Sequence, residues 1–343
     1  MFDPKTGIFR SAYVPCEAQG LEAVQIALEQ IDLIQRLSAT YIKDMVLAVT
    51  AQDIISTHRL GLISSLIGVE GGHSVSSSLS VLRQMYKLGA RYMTLTHRCD
   101  SPWAGSLPTE AIQTATTITS AASAAAVSSQ ATPSPPIGLT SYGKTIIREM
   151  NRLGMMIDLS HSSDVTIRDV LKETRAPIIF SHATARTLCN STLNVDDDIL
   201  RAISENGGII MVSFNAILLT CNNPRGATIQ NVVDHINYIR TVAGIQHIGI
   251  GAGYDGFDKT PRGLEDVSKY PNLFAELLKD PTWSEEDVRL IAGMNLLRVL
   301  RSVEMVRENW KLADITPLEA LKPPAPASAA ATRRQTQCLP MPS

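Results

Sequence analysis

Residues 154–163, GMMIDLSHSS, hold an apolar run that ends at His161 and passes at once into small polar residues. An apolar run without alternation reads as a strand buried on both faces, the mark of a parallel sheet covered by helices. The flanks agree. Upstream, GKTIIREMNRLG (143–154) has helical spacing and closes on glycine as a helix C-cap does. Downstream, DVTIRDVLKETR (164–175) is again helical and leads into a second apolar run, APIIFSHAT (176–184), which also meets a histidine at its end.

The rhythm extends in both directions. DMVLAVT (44–50), ISSLIGVEGGH (63–73), ARYMTLTHRCD (90–100), GGIIMVSFN (207–215) and HIGIGAGYDG (247–256) complete seven strand-like runs, separated by helical stretches such as SVLRQMYKLG (80–89), DDDILRAISENG (196–207) and NVVDHINYIRTVAG (231–244). No GxGxxG or P-loop motif follows the first strands, and polar residues stand at the C-terminal ends of several different strands, as the active face of a closed parallel barrel demands. The expected fold is therefore an α/β (β/α)8 barrel of the metallo-dependent hydrolase type whose first strand is absent or unrecognisable. An amphipathic helix over 21–43 should precede the series, and a closing helix capped by Ser284 should run over 282–308. One barrel domain spans 1–322, interrupted by an Ala/Ser/Thr-rich surface insertion at 105–136 and followed by a disordered Pro/Ala-rich tail at 323–343.

A formal net charge of -2 over 343 residues leaves no electrostatic footprint for nucleic acid or an anionic membrane, so the partner is a small molecule. No run of ~18 apolar residues and no charged start before an apolar stretch is present, so neither a spanning helix, a signal peptide nor an anchor signal is read from the chain. The five cysteines, Cys16, Cys99, Cys189, Cys221 and Cys338, fit no CxxC metal pattern; reduced burial and two disulfides with an odd thiol are both open. The sequon Asn190-Ser191-Thr192 leans toward secretion.

The chemistry sits at strand ends. Glu70, His97, His161 and His182 each close an apolar run, and in a parallel barrel such ends converge on one mouth. One carboxylate and three imidazoles within reach of one ion favour zinc over magnesium, which demands oxygens, and imply metal-assisted hydrolysis. His73 is a weaker candidate; Asp158, two residues before Ser160, either orients a ligand or satisfies a buried bond. His58, His235 and His247 read as surface or structural residues.

SLIGVEGGH (65–73), YMTLTHRCDSPWA (92–104), LTSYGKTIIREMNRLGMMIDLSH (139–161), APIIFSHA (176–183) and GLEDVSKYPNL (263–273) together resemble the membrane (renal) dipeptidase family of zinc hydrolases, over about residues 7–310. The resemblance implies a (β/α)8 barrel with two zinc ions that cleaves dipeptides in the secretory pathway or at the cell surface, usually lipid-anchored and homodimeric. It makes Glu70 the carboxylate bridging the zincs, His161 and His182 the imidazoles on the second zinc, and His97 the histidine that contacts substrate. It pairs Cys16 with Cys99 and Cys189 with Cys221, and likens Cys338 to an intersubunit cysteine.

The departures matter as much. The family's first strand carries an HxD pair that holds the first zinc, and this sequence contains none; a truncated or mis-predicted start is one explanation for that and for the missing signal peptide, and the expectation is one zinc at most in the chain as written. Leu193 stands where the family has an arginine for the substrate carboxylate. Gly253, in GAGYDG, stands where its catalytic aspartate acts as acid and base, while Asp255 matches the second aspartate of that pattern. Two readings follow: a zinc-dependent dipeptidase working by metal-activated water, or a catalytically impaired binding protein on the same scaffold.

Overall fold

A computed structural model describes residues 8–20, 22–107 and 138–321. Eight parallel strands lie in one curled sheet: β1 (Ile8–Tyr13), β2 (Met45–Leu47), β3 (Ile63–Glu70), β4 (Ala90–Thr94), β5 (Met156–Asp158), β6 (Ile179–Ala183), β7 (Ile209–Val212) and β8 (Ile248–Ile250). The helices α1 (Ala23–Thr40), α2 (Ala51–Arg59), α3 (Leu79–Lys87), α4 (Ser141–Leu153), α5 (Asp164–Glu173), α6 (Asp197–Asn206), α7 (Ala216–Leu219), α8 (Ile229–Ala243), α9 (Tyr270–Leu277), α10 (Glu285–Arg289) and α11 (Asn295–Leu312) fill the connections. Serine and threonine caps start several of them, among them Thr50, Ser78, Thr140, Ser163 and Ser284. Gly154 and Gly207 end α4 and α6 in the left-handed conformation that a side chain would strain.

The strand count exceeds the seven read from the sequence because β1, IFRSAY, is also paired. It runs alongside the last six residues of β3, with Ile8 opposite Ser65 and Tyr13 opposite Glu70, while β2 pairs with the first three residues of β3. Among the described residues no pairing joins β8 to β1 or β2, so the sheet curls without closing. Both unpaired margins, Ser11 and Tyr13 on one side and Gly249 and Ile250 on the other, line one cavity of about 2050 Å³. Among the described residues the continuous path β1-β3-β4-β5-β6-β7-β8 has seven strands, with β2 beside β3 off that path, one fewer than a closed eight-stranded barrel needs, and β1 carries no HxD.

Alternation along each strand sorts the side chains into two layers. Ile157, Phe180, Ile210 and Val212 point outward into the large core shared with the helices. Leu66, Tyr92, Met156, Ile179, Ile209 and Met211 form a second core with Val299, Leu300 and Val303 of α11. At ~1.5–3 kcal/mol for each large aliphatic side chain buried, these layers account for continuous apolar runs rather than alternating ones. Arg298 donates to the carbonyls of Gly207 and Gln246, just before β7 and β8, so α11 caps the N-terminal end of the sheet. The opposite end is left to polar residues.

The closing helix expected over 282–308 is not one rod. α10 gives way to a wide turn at Leu290–Met294, in which Gly293 leaves helical geometry, before α11 continues to Leu312. The tail 323–343, Cys338 and all but the first three residues of the 105–136 insertion lie outside the described residues.

Candidate metal centre

Strand register builds the site. Tyr13 stands opposite Glu70, Glu70 opposite Thr94, and Thr94 opposite Asp158, so one row of polar residues crosses β1, β3, β4 and β5 at their C-terminal ends. Just beyond that row, on the same cavity, lie His97, His161 and His182. Glu70 Oε1 stands 3.5 Å from His97 Nε2, 3.8 Å from His161 Nε2 and 4.0 Å from His182 Nε2. His161 Nε2 and His182 Nε2 are 2.8 Å apart.

Each imidazole is placed by a different device. His97 follows β4, with its backbone N–H on the Cys99 carbonyl at 3.4 Å, and Cys99 is disulfide-bonded to Cys16 just past β1. His161 has φ +66, a left-handed backbone that a non-glycine residue adopts only when its surroundings enforce it. The Leu107 N–H on the His161 carbonyl at 3.1 Å and the Ser162 N–H on the Leu159 carbonyl at 3.1 Å brace that turn. His182 lies within β6, its ring Nδ1 2.8 Å from Ser181 Oγ and its backbone N–H on Ser160 Oγ.

The electrostatics suit a cation. Burial raises the Glu70 carboxyl, but the hydrogen bond from His97 and the neighbouring imidazoles outweigh it and bring it down to about 2. Burial, with the charges of His182 and His97, pushes His161 well below the ordinary histidine range, which keeps its ring neutral. His97 Nδ1 is buried without a hydrogen-bond partner. A tetrahedral zinc with ligands at 2.0–2.2 Å sets its donors about 3.3 Å apart. The donors here lie on either side of that spacing, and imidazoles with one carboxylate are a set zinc takes, so the residues fit the ion. The ligand atoms of Glu70, His97 and His161 lie within 4.8 Å of one another, and those of Glu70, His161 and His182 within 4.0 Å.

Other sequence candidates fall elsewhere. His73 turns away, with Nε2 3.0 Å from the Val14 carbonyl. His235 is buried between the Ala185 N–H and the Leu219 carbonyl, His247 contacts the Gly208 carbonyl, and His58 is exposed. Asp158 is completely buried within a net of five hydrogen bonds. Cys189 and Cys221 are disulfide-bonded, and Asn190 beside them is exposed.

Gly253 and Leu193 both line the cavity with the four donors. Gly253 has φ +75, and a Cβ built there meets nothing closer than Phe257 at 3.5 Å, so space for a side chain exists although the backbone is left-handed. Asp255 is also left-handed, at φ +68, and exposed. Tyr254 between them anchors the loop: its hydroxyl donates to the Leu264 carbonyl at 3.0 Å and its ring packs against Phe214 and Tyr270.

Two residues at the mouth escaped the sequence reading. The Tyr13 ring lies 4.8 Å from the His97 ring, and Arg98 lines the cavity with an exposed side chain and no ion pair to any described residue. Tyr13 was hidden because β1 was not read as a strand. The Ser-His doublet, present at both Ser160-His161 and Ser181-His182, was the available signal for the hydroxyls behind the imidazoles.

A curled parallel sheet with alternating helices and imidazole and carboxylate donors at its C-terminal end defines a TIM-like barrel of the metallo-dependent hydrolase type. Residues 4–314 match the membrane dipeptidase family, peptidase family M19, and the chain belongs to it. That family consists of metallopeptidases that hydrolyse dipeptides. The chain is 45% identical over 315 residues to dipeptidase 3 of Rattus norvegicus, covering 92% of this chain and 59% of the relative. It is 47% identical over 312 residues to dipeptidase 3 of Homo sapiens, covering 91% and 58%. The chain thus spans somewhat over half the length of the curated relatives it matches. Among solved structures, dipeptidase AC, an M19 metallopeptidase, superposes with a TM-score of 0.75 at 24% identity, covering 87% of this chain and 86% of that one. A metallopeptidase from Rhodobacter sphaeroides, solved with a phosphinate mimic of L-Ala-D-Ala, superposes with a TM-score of 0.73 at 23% identity and 87% coverage of both. These two likenesses bear on the fold.

Proposed function

We propose that this chain binds dipeptides at the Glu70, His97, His161 and His182 mouth for metal-assisted hydrolysis, holds one zinc ion, and is impaired in the hydrolytic step. One observation carries the reading: Gly253 and Leu193 share the cavity wall with all four donors. Glu70, His161 and His182 would hold the ion. Zinc bound there supplies Lewis acidity, polarising a carbonyl and making water a stronger acid. Glu70 balances its charge. His97 has Nε2 toward Glu70 and the cavity, where it can donate to an oxyanion forming on the substrate. No carboxylate side chain issues from Gly253 to move the proton between water and the leaving amine, and loss of a general acid or base costs roughly 10²–10⁴-fold.

The two disulfides, which an oxidising compartment favours, support an extracellular or cell-surface setting. The exposed sequon at Asn190 supports a glycan there. A lipid anchor and a homodimer join the proposal from the family; no described helix is long and apolar enough to cross a membrane. The test is zinc content together with turnover of a plain dipeptide, for the chain secreted from a eukaryotic host. One zinc per chain with weak turnover supports the reading. Turnover equal to that of a dipeptidase retaining the aspartate overturns the impairment, and absence of bound zinc overturns the site.

A further inference from the structure

Behind His182 lies a hydrogen-bond relay that crosses three strands. Asp158 Oδ1 accepts the Ser160 N–H at 3.1 Å, the Ser160 hydroxyl at 2.9 Å and the Ser181 N–H at 2.8 Å. Its Oδ2 accepts the Thr94 and Ser181 hydroxyls, both at 2.6 Å. All five partners donate, so the carboxyl serves as acceptor only. Ser181 has a single hydroxyl proton. A carboxylate at 2.6 Å takes it in preference to an imidazole nitrogen at 2.8 Å, because charge-assisted bonds are roughly twice as strong as neutral ones. Ser181 Oγ therefore faces His182 Nδ1 with a lone pair, and that bond requires the proton on Nδ1.

We propose that Asp158 is a positioning residue which, through Ser181, fixes His182 as the Nδ1–H tautomer and so presents the Nε2 lone pair to the mouth. The Ser160 hydroxyl, spent on the same carboxylate, accepts the His182 backbone N–H at 3.1 Å and locks the main chain of the same residue. Thr94 ties the relay to β4, adjacent to β5 and in register with Asp158. The sequence left Asp158 between orienting a ligand and merely satisfying a buried bond; the direction of the Ser181 proton separates the two. A structural role needs only that the carboxylate be satisfied, whereas the relay dictates which ring nitrogen of His182 is free. The consequence for metal rests on the reading of His182 as a zinc ligand; the tautomer does not.

The test has two arms. ¹⁵N NMR of histidine-labelled, metal-free protein reports the His182 tautomer directly, and zinc titration by calorimetry reports the site. In the wild type His182 is expected as Nδ1–H. In Asp158→Asn an amide N–H placed toward Ser181 makes the hydroxyl an acceptor, turns its proton onto Nδ1 and moves the ring proton to Nε2. Zinc affinity should then fall about 10–100-fold, as loss of an outer-shell partner does. Ser181→Ala and Ser181→Thr are read beside it in case Asp158→Asn does not fold: alanine should release the tautomer and threonine restore it. An Nε2–H ring in the wild type, or an unchanged tautomer in Ser181→Ala, overturns the relay. Wild-type protein that binds no zinc while Ser181→Ala still shifts the tautomer sinks the zinc reading and leaves the relay intact.

Discussion

His161 and His182 bring their Nε2 atoms within 2.8 Å of each other although one is held by a left-handed turn after β5 and the other by serines around β6. Two imidazoles so close can share one proton or one cation, and neither can leave without moving a strand end. Zinc at ~100 times its dissociation constant should add about 2.7 kcal/mol of stability, a rise of several degrees in melting temperature. His182→Ala should abolish that rise. Differential scanning calorimetry with and without zinc decides it, and an equal shift in both proteins removes His182 from the site.

Gly253→Asp asks whether the missing carboxylate is the defect. The nearest neighbour of the new Cβ, Phe257 at 3.5 Å, is in ordinary contact, so no clash opposes the substitution. The left-handed backbone costs roughly 1 kcal/mol, with aspartate among the residues that bear it best. Stability should fall by about that amount while dipeptide hydrolysis rises, by as much as ~10²-fold or more if the new carboxylate reaches the scissile bond. A variant that folds and hydrolyses no faster than wild type shows that the loop geometry, with Asp255 also left-handed, cannot deliver a proton from this position.

How far these features could be read beforehand follows from packing. Strands covered on both faces, such as β7 with Ile209, Ile210, Met211 and Val212 all buried, announce themselves as apolar runs. β1 did not, because it borders the unclosed seam, where Ser11 and Tyr13 face the cavity rather than a packed neighbour. The strand-end rule located Glu70, His97, His161 and His182 at one mouth. It could not find Thr94, Ser160 and Ser181, since serine and threonine are common and their meaning depends on the buried carboxylate of Asp158, on the strand next to β4 and β6. His235 shows the converse: a histidine in a helix reads as structural, and it is one, bonded to Ala185 and Leu219.

Arg98 sits next to His97 on a loop fixed by the Cys16–Cys99 disulfide, and its guanidinium has no ion-pair partner among the described residues. With Leu193 unable to bind an anion, Arg98 offers a cation beside His97 for the free carboxylate of the proposed dipeptide ligand. A charge-assisted hydrogen bond contributes ~1.5–3 kcal/mol, so Arg98→Ala should weaken dipeptide binding roughly 10–100-fold, with folding unchanged because the side chain is exposed. Calorimetric titration with a dipeptide measures this independently of turnover. Equal affinity in the variant would show that the carboxylate is read elsewhere.

Glu149 in α4 is completely buried and holds the end of the described chain. Its carboxylate accepts Arg152 at 2.8 Å, Arg83 at 3.1 Å and the Leu318 N–H at 3.1 Å, while Arg83 also donates to the Leu318 carbonyl at 3.1 Å and pairs with Glu319 at 2.8 Å. Burial raises this carboxyl, yet the hydrogen bonds from Arg152, Leu318 and Arg83 outweigh it and leave it below the ordinary glutamate value. The folded state therefore binds the proton less readily than the unfolded chain, which titrates near ~4.3. The stabilisation is complete above that pH and fades as acidification carries the carboxylate through its lower folded value. Glu149→Gln should cost about 3 kcal/mol at neutral pH, because Arg152 loses its counter-charge and Arg83 keeps only the exposed Glu319. It should also lose less further stability than wild type as the pH falls below ~4.3, since the coupled proton is gone. Urea denaturation at neutral and acid pH tests both parts. A variant as stable as wild type, or with an unchanged acid limb, would mean that the segment after α11 is held by its other contacts and that Glu149 is not its latch.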